Sequence, residues 1–142
     1  MARKIDPQLT GMAGEFLVPG KLFKLELQAS VTFGNAKAVD IFAHNPKTNR
    51  TFNVQGKSLK YKNAYFIKPE DIFADYIYVF VILNKFEEPE DFFILEGQTI
   101  LDDMDKFFGI SLQNEGRAKP KTPGINYGPL LEFKDNWTVF LE

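Results

Sequence analysis

The stretch Val39-Asp40-Ile41-Phe42-Ala43-His44-Asn45-Pro46-Lys47-Thr48-Asn49-Arg50-Thr51-Phe52-Asn53-Val54-Gln55-Gly56-Lys57-Ser58 decides the fold. Its middle, Asn45 to Arg50, is a run of turn formers, and both flanks alternate in polarity at the period of a β-strand. A hairpin centred on Lys47-Thr48 sets Asp40 directly opposite Gln55. Strand alternation then puts Lys57 on the same face. An acid, an amide and an ammonium group converging from two strands form a candidate metal and phosphate site.

Working outward, Asp6-Pro7 reads as an N-cap followed by proline at the first helical position. Leu9, Met12, Ala13, Phe16 and Leu17 recur at helical spacing, which predicts a helix from Pro7. Gly11 and Gly14 weaken it. Pro19 is expected to end it near Val18, or to bend it before it continues through Lys21 to Lys24. Gln28 to Phe33 reads as the first strand with Gly34-Asn35 as its turn, and Ala38 to His44 and Arg50 to Lys57 as the hairpin. Ala64 to Ile67 is a short further strand, and Lys68 to Asp71 opens a turn of helix. Tyr76 to Leu83 is the most apolar run and is expected to be central. Phe92 to Leu95 follows an acidic turn.

Ile100, Leu101, Met104, Phe107 and Phe108 share one helical face, capped near Gln98-Thr99 and stopped at Gly109. Gln113 to Pro129 reads as a long loop. Leu130 to Phe133 and Trp137 to Phe140 read as apolar packing segments. The order helix, strands, helix predicts a single domain over 1–142, with an α/β (α+β) mixed sheet and helices on its faces.

Composition narrows the function. The chain has 142 residues, 44% hydrophobic and 25% charged, values of a globular domain with a real core, and its 15 Phe predict a core of packed rings. With no cysteine, disulfides and cysteine-bound zinc are excluded, and a reducing compartment such as the cytoplasm is compatible. No stretch approaches the roughly 20 apolar residues of a spanning helix, so no membrane partner is expected. A net charge of -2 argues against a protein that coats nucleic acid, but not against an enzyme touching a backbone locally. No phosphate-cradling glycine motif, nucleophile elbow or zinc ligand set is present.

Asp is disfavoured inside strands, so Asp40 calls for a reason. Asp40 and Gln55 supply two oxygen ligands and the Gly56 carbonyl is placed to supply a third, a donor type suited to Mg²⁺ or Mn²⁺. Lys57 beside them can stabilise charge developing on a phosphate. The same face can equally be a solvated hairpin surface. Lys60 and Lys62, and the loop cations Arg117, Lys119 and Lys121, are candidate nucleic-acid contacts, with solubility as the alternative. Tyr61, Tyr65 and Trp137 can stack on bases or pack in the core. His44 is placed at the surface by the turn. Asp102-Asp103-x-Asp105 lacks the glycine of a calcium loop and reads as helix capping.

Asp40 followed by Gln55-x-Lys57 on the next strand, with Gly14-Glu15-Phe16-Leu17 on a preceding helix, resembles the PD-(D/E)XK nuclease superfamily in its Gln-x-Lys variant. The likeness spans roughly residues 10 to 83. It implies a restriction-endonuclease-like αβββαβ core with flanking helices. It further implies hydrolysis of phosphodiester bonds by metal-activated water, with DNA expected ahead of RNA, and it is compatible with a homodimer. Carried over by residue, Asp40 is the main metal ligand and Glu15 a second carboxylate. Gln55 is a ligand or ligand-orienting amide, and Lys57 the catalytic cation. Val39 stands where the family has proline, and Gln55 replaces an acid. A binding or interaction module that kept the fold and lost catalysis is therefore the alternative.

Overall fold

In the computed structural model, which describes residues 5–32, 39–112 and 122–142 (Val39 and Asp40 by backbone alone), the Asp6 carboxylate accepts the Gln8 amide at 2.9 Å and starts α1 (Pro7–Lys24). Thr10, Gly14, Val18 and Leu22 recur every four residues and form its buried line. The helix continues through Pro19 to Lys24, so the stop expected near Val18 is absent and the alternative, continuation to Lys24, is what the structure shows. An internal proline costs about 3 kcal/mol, and burying Val18 and Leu22 contributes roughly 1.5–3 kcal/mol each, which offsets it. The helix instead ends where Glu26 takes a left-handed conformation (φ 67°). The Leu27 amide then reaches the Leu22 carbonyl at 3.0 Å and the Glu26 amide the Phe23 carbonyl at 2.9 Å.

Five strands form one mixed sheet in the order β1 (Gln28–Thr32), β2 (Val39–Asn45), β3 (Arg50–Leu59), β5 (Ile77–Ile82) and β6 (Asp91–Glu96). β1, β2 and β3 form an antiparallel meander, β3 pairs parallel with β5, and β5 antiparallel with β6. The middle strand is β3. The apolar run in β5 lies beside it, with all six residues buried. The crossover from β3 to β5 carries a two-residue strand, β4 (Tyr65–Phe66), and a 3-10 turn, Pro69–Asp71. β4 pairs outside the main sheet with β7 (Gly124–Ile125).

Each face of the sheet has its own core. Leu22, Leu27, Ile41, Ala43, Phe52, Val54, Val79 and Val81 pack beneath α1, together with Phe140. On the other face Tyr78, Phe80, Phe93 and Leu95 meet Tyr65, Ile100, Phe107, Phe108 and Ile125. This second layer includes α2 (Gly97–Asp102) and α3 (Met104–Phe108). The sequence predicts one helix here. The structure breaks it at Asp103 (φ -146°), and Gly109 (φ 56°) ends α3 as expected. Glycine is needed at position 97, because a Cβ there would collide with the Phe73 carbonyl.

The β6 edge is covered by the chain's last segment. The Asp135 amide bonds the Phe92 carbonyl at 2.9 Å and the Asn136 side chain the Ile94 carbonyl at 3.1 Å. At the far end of the molecule, buried Asn45 closes the β2–β3 turn. Its Oδ1 accepts the Lys47 amide at 2.9 Å, and its Nδ2 donates to the Phe140 carbonyl at 2.9 Å. Asn45→Ala should cost about 2 kcal/mol in urea unfolding, since it strands a buried carbonyl and frees the turn. Gly97→Ala should cost about 1–3 kcal/mol by overpacking. Wild-type midpoints for both variants would refute these assignments.

Candidate functional site

Strand register builds the site. Asp40 pairs with Gln55 across β2 and β3, and Asp40 also pairs with Thr32 of β1. Asn45 faces Arg50 at the turn, so the turn formers set the pairing that the sequence predicts. Along β3, Phe52, Val54 and Gly56 are buried, while Asn53, Gln55 and Lys57 are half-buried and alternate to the other face. In the parallel pair with β5, Gln55 lies beside Tyr78 and Lys57 beside Phe80, so both stand on the face of the second core.

That face is covered only in part. Over β5 and β6 it is sealed by the second layer, whereas Gln28, Ser30, Thr32, Phe42 and Thr51 on the three-stranded meander are exposed. Gln55 and Lys57 sit at the boundary. The Lys57 ammonium approaches the Phe66 carbonyl of β4 at 3.4 Å. β4 is itself anchored because the Tyr65 hydroxyl donates to the Val81 carbonyl at 2.8 Å. Burial raises the Tyr65 phenol far above its ordinary value, with the Asp91 charge adding to the effect, so it remains a donor across the accessible pH range. A depression of about 210 Å³ beside the Asp40–Gln55 pair is lined by Thr32, Phe42, Asn53 and Tyr76, among others.

Glu15 sits elsewhere in the layering. α1 packs on the face of Val54, Gly56 and Ser58, opposite Gln55 and Lys57. It is nonetheless near in the chain's path. The Gly14 backbone lies against Ser58, one residue from Glu15 on the helix and one from Lys57 on the strand. Only glycine allows that approach, because a Cβ at position 14 would meet the Ser58 side chain. Gly56 is buried in the interior of the sheet, in register with both Val39 and Val79. Its carbonyl therefore points in the plane of the ladder, while the Gln55 and Lys57 side chains stand out of that plane.

Beyond Ser58, a cleft of about 370 Å³ opens between the start of α1 and the chain leaving β3. Lys60, Tyr61, Lys62 and Asn63 line it opposite Ile5, Pro7 and Thr10, and no carboxylate belongs to the lining. The Lys62 ammonium lies over the Tyr127 ring, 5.0 Å from its centre. The cleft therefore has the Lys62 stem in its wall, with the charged end held by an aromatic face. Arg117, Lys119 and Lys121 lie outside the described residues.

Two other candidate base-stackers are packing residues. Tyr65 is buried against Phe80, and Trp137 packs against Phe92 and Phe140. Tyr61 is exposed beside the cleft. His44 is half-buried at the end of β2, and Asp102, Asp103 and Asp105 are exposed at the break between α2 and α3.

The donor set of Asp40, Gln55 and Glu15 consists of oxygens alone, which fits a hard divalent cation in chemistry. Among the described residues, no group of three or more His, Asp or Glu side chains is arranged to hold a metal ion. No family model, curated protein or solved structure matches this chain. Among the described residues no helix is long and apolar enough to cross a membrane. The Gly14–Ser58 contact gives a direct check on the geometry. Gly14→Ala should destabilise the fold although Ala gains roughly 1 kcal/mol in helix propensity. Ser58→Ala, which removes the hydroxyl at the contact, should recover part of the loss in a double-mutant cycle. Additive effects would show that helix and strand do not meet there.

Proposed function

We propose that this protein is a metal-dependent nuclease with a restriction-endonuclease-like core, hydrolysing phosphodiester bonds in DNA ahead of RNA. The observation that carries the reading is the Asp40–Gln55 register pair, with Lys57 two residues further along β3. The element order supports it as well: a helix, an antiparallel three-strand meander, then a strand parallel to the third. The crossover before that strand is a short strand and a 3-10 turn where the αβββαβ pattern has a helix.

Asp40 and Gln55 are the residues that would hold Mg²⁺ or Mn²⁺, with Glu15, carried by α1 on the other face of the sheet, contributing only through water. Bound there, the ion would supply Lewis acidity at the scissile phosphate. The Lys57 ammonium, held near the Phe66 carbonyl, orients the phosphate and offsets negative charge growing on it. Lys60, and Lys62 once it leaves the Tyr127 ring, serve phosphates flanking the scissile bond. The exposed Tyr61 offers a ring for an unpaired base at the same cleft.

A second reading is a module that kept this fold and binds without cleaving. The placement of α1, and so of Glu15, across the sheet from Gln55 and Lys57 favours it. Cleavage assays on single-stranded and duplex DNA and on RNA, with Mg²⁺ and Mn²⁺, decide between the two. Asp40→Ala and Lys57→Ala should each lower the cleavage rate by about a hundredfold or more while thermal unfolding stays near wild type. Gln55→Glu should tighten Mn²⁺ binding about tenfold by adding a formal charge to the site. Lys60→Ala should weaken DNA binding and reduce its salt slope by about one. Cleavage unchanged in Asp40→Ala rejects the nuclease assignment. Salt-dependent DNA binding with no cleavage and no Mn²⁺ uptake selects the module.

A further inference from the structure

We propose that α1 pairs with a second copy of itself, antiparallel across a twofold axis, through an apolar stripe turned away from the sheet. Leu9, Met12, Phe16 and Phe23 follow the spacing of one helical face, with buried Pro19 between the last two. All four are between 43% and 64% exposed. The stripe lies on the side of the helix opposite the buried line of Thr10, Gly14, Val18 and Leu22, so α1 is apolar on two faces and the sheet covers one. A contiguous patch of this kind marks an interaction surface rather than scattered surface apolars. It offers roughly 500 Å² of apolar side chain per copy, hence about 1,000 Å² across a twofold, where specific interfaces begin.

Two features select a second copy as the occupant. Charge is divided between the helix ends: Asp6 caps its start and Lys24 lies in its last turn. An antiparallel copy sets Asp6 of each chain against Lys24 of the other, whereas a parallel copy would set like charges together. Shape agrees with this. In the same pairing Met12 meets Phe16, and Leu9 falls over Gly20. At Gly20 no atom lies within 4 Å of where a Cβ would stand, so the residue forms an open notch between Phe16 and Phe23. Within this sequence, residues 1–4, 33–38 and 113–121 contain only Met1 and Phe33 as large apolar side chains, too few to cover the stripe.

Sedimentation equilibrium over about 1–200 µM tests the proposal, with a dimer expected for the wild type. Leu9→Glu and Gly20→Lys should each raise the dimer dissociation constant at least tenfold. Both positions are exposed, so the circular dichroism spectrum should stay native. Combined in one chain, the two substitutions face each other across the axis, and association should return to within a few-fold of wild type. A wild type that stays monomeric overturns the proposal. So does a Leu9→Glu chain that dimerises as well as wild type, or a pair of substitutions whose effects add. A monomer that adsorbs to anionic vesicles would assign the stripe to a membrane surface and also overturn it.

Discussion

A single buried amide sets the frame of this molecule. Asn45 ends β2 with its side chain 3% exposed, and its two ends are bonded in opposite directions. The oxygen holds the Lys47 amide in the turn, while the nitrogen reaches the Phe140 carbonyl in the last 3-10 turn. A polar group so deeply buried is stabilising only when both ends are satisfied. Sliding β3 by one residue would break this arrangement. It would also move Ile41 and Val54 out of the core beneath α1 and drive polar residues into it. The turn bond and the apolar alternation therefore demand the same pairing, and that pairing alone brings Asp40 to Gln55.

Much of this was legible beforehand, for identifiable reasons. The hairpin could be read because turn formers sit symmetrically between two alternating segments, and the start of α1 because Asp6-Pro7 is a strong local signal. The end of α1 was legible only as one of two alternatives. Glu26 adopts a left-handed conformation without being glycine, held by buried Leu22 and Leu27, and no local rule marks such a residue. Local rules left the passage through Pro19 open, and tertiary burial, which outweighs the local penalty, decides for it. β4 falls within the short strand read over Ala64 to Ile67, whereas its partner β7 lies in the stretch read as a long loop and gains strand form by pairing with it. The break at Asp103 interrupts a helical pattern that is continuous in the sequence.

The candidate site was legible to the same depth. Alternation tells which residues of a strand share a face, and so Asp40, Gln55 and Lys57 could be grouped. It does not tell which face a helix will cover, and the placement of α1 emerged only with the packed structure. Gly14 in the sequence signals tolerance or close approach without choosing between them; its contact with Ser58 makes the choice. The sheet that results is sealed on one side by α1 and on the other only over β5 and β6. Asn53, Gln55 and Lys57 of β3 stand half-buried along that boundary on a packed floor, the arrangement a positioned site requires.

The bond between Asn45 and Phe140 spans 95 residues. The hairpin can pair early by local contacts, yet the group that satisfies its buried amide lies far along the chain from it. Folding of this topology should thus be gated by a long loop closure rather than by hairpin formation, with a correspondingly high contact order. Until the Phe140 segment docks, the nascent sheet keeps an unsealed flank, the form in which it is most exposed to capture by chaperones or to misassembly.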